Sequence, residues 1–168
     1  MVMPENEIEQ DIALWKKGEL STNLLRTLPS RIGRAEYREG ISVLLELAFN
    51  RDAIVRYNAV MSLGFKLRFR DATDVLIKVL KDDSDIDCRD AAAGALGAMW
   101  RNTRDRRVVE KLTQIVLNDK DDDVRKAAYS SLITVDGISD EDYLEMLQND
   151  RQPVNSTRVA SILAGYAQ

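Results

Sequence analysis

The sequence predicts an all-α fold of stacked helix pairs, and three observations predict it. Residues 52–64, 85–97 and 121–133 superimpose: each reads Asp, three residues, Arg, two residues, Ala, three residues, Leu. The arginines are Arg56, Arg89 and Arg125, spaced 33 and 36 residues apart. Between these segments, apolar residues recur at helical spacing, as at Val75, Leu76, Val79 and Leu80. No stretch alternates apolar and polar residues between turn residues, as a half-buried strand would. One motif repeated in register at such a period marks a helical repeat array, in which each unit buries its apolar face only against its neighbours.

The elements follow in order. Ile8, Ile12 and Trp15 give a stripe over 5–17 that stops at Gly18. Leu20, Leu24, Leu25 and Leu28 give a second over 20–31, ending near Pro29. Ile41, Leu44, Leu45, Leu47 and Ala48 place a helix at 36–49, ahead of the first motif helix at 53–67. Helices at 72–81 and 86–100 form the next pair, and 105–118 (Val108, Val109, Leu112, Ile115, Val116) pairs with 122–135. Tyr143, Leu144 and Leu147 suggest 140–149, paired with 154–166 through Val159, Ile162 and Leu163. Asp71, Asp105 and Ser139 mark helix starts, because a short polar side chain caps free backbone N–H groups. Pro4, Pro29 and Pro153 all fall where a helix should begin or end. The result is about ten helices in five pairs and one domain over 1–168: an N-terminal capping pair (1–35), three well-matched repeats (36–135) and a C-terminal pair (136–168).

Composition removes several functions. The 168 residues are 45% hydrophobic and 31% charged, too apolar for disorder. Twenty-four Lys+Arg against 28 Asp+Glu leave a net charge of −4, which speaks against nucleic-acid or anionic-membrane binding. No apolar run approaches the ~20 residues of a spanning helix. The acidic start, Met1 to Glu7, lacks the basic-then-apolar order of a signal peptide. The single cysteine, Cys88, fits a reducing cytoplasm. With no histidine there is no imidazole base, nucleophile activator or metal ligand, so the expectation is a non-enzyme without cofactor or metal. Asp83-Ser84-Asp85-Ile86-Asp87 and Asp119-Lys120-Asp121-Asp122-Asp123 look like calcium loops. Both fail, because positions 6 and 12 hold Cys88 and Gly94, and Val124 and Ser130, in place of Gly and Glu.

The pattern Asp-x-x-Val-Arg-x-x-Ala followed by Leu-Gly, together with a helix such as Asp74–Leu80, resembles HEAT repeats, most closely the short bacterial kind first associated with phycobilin lyases. The resemblance covers roughly 36–135, with Cys88 replacing Val and Ile133 replacing Gly as small departures. It implies a right-handed α-α superhelix whose Arg-bearing helices line the concave, ligand-facing side. It also implies a ladder between repeats of Asp52, Asp85 and Asp121 with Arg56, Arg89 and Arg125.

On such a scaffold function lies in the exposed side chains. The concave face reads Tyr57, Asn58, Met61 and Ser62, then Asp90, Ala91, Gly94 and Ala95, then Lys126, Ala127, Ser130 and Ser131. Small central residues flanked by Tyr57 and Met61 suit a protein or peptide partner, with Asp90 and Lys126 adding charge. Lys66, Arg68 and Arg70 follow one motif helix, and Arg101, Arg104, Arg106 and Arg107 the next. They make a basic edge, with Arg68, Arg101 and Arg104 as candidate contacts to an acidic partner. Trp15 and Trp100 read as core, and acidic neighbours should leave Cys88 inert. The expected function is a non-catalytic interaction module or scaffold for a protein of unspecified identity, with a toxin-neutralising or regulatory subunit as one form of it. The resemblance leaves open chromophore handling of the phycobilin-lyase kind and DNA binding of the HEAT-like glycosylase kind. Monomer and dimer both remain open.

Overall fold

The computed structural model describes residues 5–141, 144 and 153–166. Its helices are α1 (Glu5–Lys17), α2 (Thr22–Arg34), α3 (Ile41–Leu47), α4 (Ala53–Met61), α5 (Thr73–Asp82), α6 (Ile86–Met99), α7 (Arg106–Asn118), α8 (Asp122–Asp136) and α9 (Ser156–Gly165). Most of the expected helix at 140–149 lies outside the described residues, as do Tyr143 and Leu147. Among the described residues there is no strand.

The repeat motif works as a start signal and a core. Asp52 accepts from the Ile54 N–H at 3.0 Å, Asp85 from Cys88 N–H at 3.1 Å and Asp121 from Asp123 N–H at 3.0 Å, so each motif helix begins at a satisfied cap. Four residues into each motif, Val55, Cys88 and Val124 are fully buried, followed by Ala59, Ala92 and Ala128 and then Leu63, Leu96 and Leu132. These meet Leu44, Leu76, Leu80 and Leu112 from the intervening helices in one continuous core.

Four expectations need correcting. The helix at 36–49 shortens to α3, preceded by a 3-10 turn at Arg38–Gly40, and α5 begins at Thr73 after a 3-10 turn that contains Asp71. Neither α3 nor α5 has a side-chain cap. Pro29 sits inside α2, which runs a further turn because Ile32 and Gly33 beyond it are buried. The first motif helix does not continue regularly to 67. After Met61 it widens into a π turn at Ser62–Lys66, closed by the Leu67 N–H donating to the Ser62 carbonyl at 2.9 Å.

The motif helices α4, α6 and α8 lie side by side, continuing from α2, whereas the outer helices α3, α5 and α7 barely touch one another. Glycine sets the closeness. A Cβ on Gly64 would stand 2.2 Å from the Ala95 Cβ, one on Gly97 2.9 Å from the Ser131 Cβ, and one on Gly33 2.5 Å from the Ser62 Oγ. The stack is therefore drawn together on the motif side and open on the outer side.

The Arg–Asp ladder exists, with different rungs from those the resemblance implies. Arg56 binds Asp83 through two N–H groups at 2.8 and 2.7 Å, and Arg89 binds Asp119 at 3.2 and 3.3 Å. Arg26 supplies an earlier rung to Asp52 at 2.7 Å. Asp85 and Asp121 cap helices without serving as rungs, whereas Asp52 does both. The rung carboxylate lies two residues earlier, where it also accepts the N–H of Asp85 or Asp121 at 2.9 Å. Each motif arginine further ties its own turn, Arg56, Arg89 and Arg125 donating through Nη1 to the Asn50, Asp83 and Asp119 carbonyls at 2.8, 3.0 and 2.8 Å, and Arg125 pairs with Asp122 of its own helix at 2.8 Å where the resemblance implied a rung.

Candidate functional site

The exposed side of α4 carries an apolar strip. Ile54, Tyr57 and Phe65 are 48%, 38% and 37% exposed, and Met61 is half-buried between them. The spacing i, i+3, i+7, i+11 sets Ile54, Tyr57, Met61 and Phe65 along one helical face, with Phe65 in the π turn that continues α4. Phe65 rests on α6 where Gly94 leaves room: a Cβ there would lie 3.1 Å from the Phe65 Cζ. Asn58 and Ser62, expected in the same groove, instead face α2. The Asn58 Nδ2 donates to the Arg26 carbonyl at 2.9 Å and the Ser62 Oγ to the Pro29 carbonyl at 2.8 Å. Ala91, Ala95, Ala127 and Ser131 are likewise buried. Half of the sequence-derived face thus joins helix to helix, and the other half looks outward.

Tyr57, Asp90 and Lys126 occupy equivalent positions on α4, α6 and α8, with Asp90 and Lys126 half-buried. Lys126 pairs with Asp122 one turn back at 2.6 Å, which raises the ammonium pKa and lowers that of the carboxyl. Ile54 and Phe65 escaped the sequence reading. A period of three and four starting from Ile54 and running through Tyr57 and Met61 to Phe65 would have found both.

The basic edge is largely engaged within the molecule. Arg70 stacks on Trp100 with its guanidinium 4.7 Å from the ring centroid, and Trp100 donates to the Thr73 hydroxyl at 2.9 Å. Arg101 pairs with Asp140, Arg107 with Asp74 and Arg106 with Glu110, while Arg104 donates to the Asp136 carbonyl at 2.8 Å. Arg68 is exposed and, like Arg104 and Asn102, holds a left-handed backbone, with φ +45° against +54° and +57°. The structure therefore separates the seven sequence candidates: Tyr57 and Met61 together on the α4 strip, Asp90 and Lys126 on the next two helices, and Arg68, Arg101 and Arg104 at the turns.

The titratable groups are tuned by the ladder. Burial pushes Asp83 up, but Arg56, the Asp85 N–H and Arg89 outweigh it, and its pKa falls below the ordinary carboxylate value. The Arg26 hydrogen bond holds Asp52 low, and Asp83 raises Arg56. Burial, reinforced by Asp83 and Asp85, pushes the Cys88 thiol to about 12, so it carries no thiolate chemistry near neutral pH. The Asp-rich turns spend their carboxylates on arginine and on N–H groups, and no cluster of three potential metal ligands occurs among the described residues. Nor is any helix among them long and apolar enough to cross a membrane.

A family model described as HEAT repeats matches residues 41–133, more than half of the chain. No curated protein matches the sequence.

Proposed function

We propose, from the premise that the chain belongs to the HEAT-repeat family, that it is a non-catalytic module binding a partner protein across its motif helices. The carrying observation is the exposed strip Ile54, Tyr57, Met61 and Phe65 on α4. Aromatic and Met side chains are enriched in interface cores, and Phe65 carries the strip onto α6 by packing over Gly94. Asp90 and Lys126 would line its far side and select the partner by charge, acting more on association rate than on affinity. Arg68 extends the face at one end. Arg101 and Arg104 are held by their own contacts and would serve as rim. A regulatory or toxin-neutralising subunit would use the same surface in the same way. The thiol of Cys88, buried and unreactive, suits a reducing compartment.

Affinity capture from cells tests this reading with the wild type beside a Tyr57→Ala/Met61→Ala/Phe65→Ala variant. The expected result is one protein recovered stoichiometrically by the wild type and lost by the variant, since an anchor worth ~2 kcal/mol weakens binding roughly 30-fold. Equal recovery by a folded variant, or recovery of nucleic acid or a chromophore in place of a protein, overturns it.

A further inference from the structure

A cleft lies on the opposite side of the stack from the α4 strip. It opens between the outer helices α5 and α7 where they diverge, with a volume of about 710 Å³. Its floor is apolar, made by Ile77 and Leu80 of α5 and Ile115 of α7. Aspartates from both turns reach its end, but each is already held: Asp83 by Arg56, Asp119 by Arg89, and Asp82 by Lys78 at 3.1 Å. Three ammonium groups remain at the mouth, on Lys81, Lys111 and Lys120. Among the described residues none of them meets a carboxylate, and Lys111 has only the neutral Gln114 Oε1 at 3.4 Å. A turn pair rich in aspartate thus presents a cleft with a positive balance, because arginine or lysine pairs with each of the three aspartates that line it.

We propose that this cleft seats an acidic amphipathic helix from a partner protein. Its apolar face lies on Ile77, Leu80 and Ile115, and its carboxylates meet Lys81, Lys111 and Lys120. The cleft is open along one side, so it covers one face of an occupant. That suits a helix laid in a groove better than a small ligand, which binds by having most of its surface enclosed. The divergence of α5 and α7 leaves room for an added helix in the outer layer. The three lysines set the sign of the charge that the helix must carry.

Fluorescence anisotropy with a labelled peptide of roughly 14 residues, leucine at i, i+3 and i+7 and glutamate elsewhere, tests the proposal on the full chain. The control is the same peptide with lysine for glutamate. The glutamate peptide is expected to bind saturably and to weaken with added salt. It should lose at least ~10-fold in affinity against Lys81→Glu/Lys111→Glu/Lys120→Glu, and less against Lys111→Glu alone. A circular-dichroism melt establishes that both variants fold. Tyr57→Ala should leave the peptide affinity unchanged, which separates this surface from the α4 strip. The proposal is overturned by an absence of saturable binding below about 1 mM, by equal binding of the lysine peptide, or by unchanged binding to a folded charge-reversal variant. Lysine-dependent binding of anilinonaphthalene sulfonate to a cleft that rejects the peptide would assign the cleft to a small anion and overturn it equally.

Discussion

Along one side of the stack, Gly33, Gly64 and Gly97 let neighbouring motif helices meet; along the other, α5 and α7 stand apart over an open cleft. Both layers bury leucine and valine into the same core, so hydrophobic content does not distinguish them. The difference is the smallest residue at each crossing, together with the arginine that bolts one motif turn to the next. A layer fastened in this way is intolerant of change at its seams, and its outward face is held rigidly for recognition. The outer layer keeps its open space.

Substitutions can break that comparison from the largest effect downwards. Arg89 is 2% exposed and bridges two repeats through Asp119 and the Asp83 carbonyl. Arg89→Ala leaves a buried carboxylate without its cation, and should cost about 3–5 kcal/mol in urea unfolding. A cost under ~1 kcal/mol would remove the ladder from the account. Gly64→Ala drives a methyl into the Ala95 backbone and should cost about 1–3 kcal/mol or more. The same change at Gly165, with nothing within 4 Å, should be neutral or stabilising by up to ~1 kcal/mol through helix propensity. Equal effects at the two glycines would deny the seam.

Acid should loosen the ladder in a defined direction. Asp52 and Asp83 have folded pKa values below their unfolded ones. The unfolded chain therefore binds more protons as pH falls through the carboxylate range. Their stabilisation is complete above the unfolded value of about 3.9 and is lost as pH drops through the lower folded values. Thermal melts should fall below about pH 4, and less steeply in Arg56→Ala, where Asp83 has lost the cation that lowers it. Cys88 works in the opposite sense: its folded pKa, pushed up to about 12, means stability declines as pH rises past the free-thiol value, and Cys88→Ala should flatten that decline. The smallest effect belongs to the outer surface, where Leu117→Ser, at a residue 60% exposed, should change stability by less than ~0.5 kcal/mol.

The repeat register was legible because one side chain of each type has one place in it: a capping Asp, a bridging Arg, a small Ala at the helix crossing, a Leu in the core. Legibility failed where two like residues compete for one role. Asp83 and Asp85 stand two apart, and only the path of the turn makes the first a rung and the second a cap. It failed also at the π turn of Ser62–Lys66, since the motif reads as regular helix through Leu63. Tyr57 and Met61 stood out as exposed apolar residues on a motif helix. The lysine-rimmed cleft did not, because its charge emerges only after the neighbouring aspartates are paired.

Site-specific photocrosslinking in cells tests the central claim most directly. Tyr57 on the motif side, and separately Phe49 in the turn just after outer helix α3, would each be replaced by benzoylphenylalanine; Phe49 is 49% exposed, so access is comparable. The account predicts one discrete protein adduct from position 57 and none from position 49. Adducts from position 49 alone, or the same adduct in equal yield from both, would contradict recognition through the motif helices.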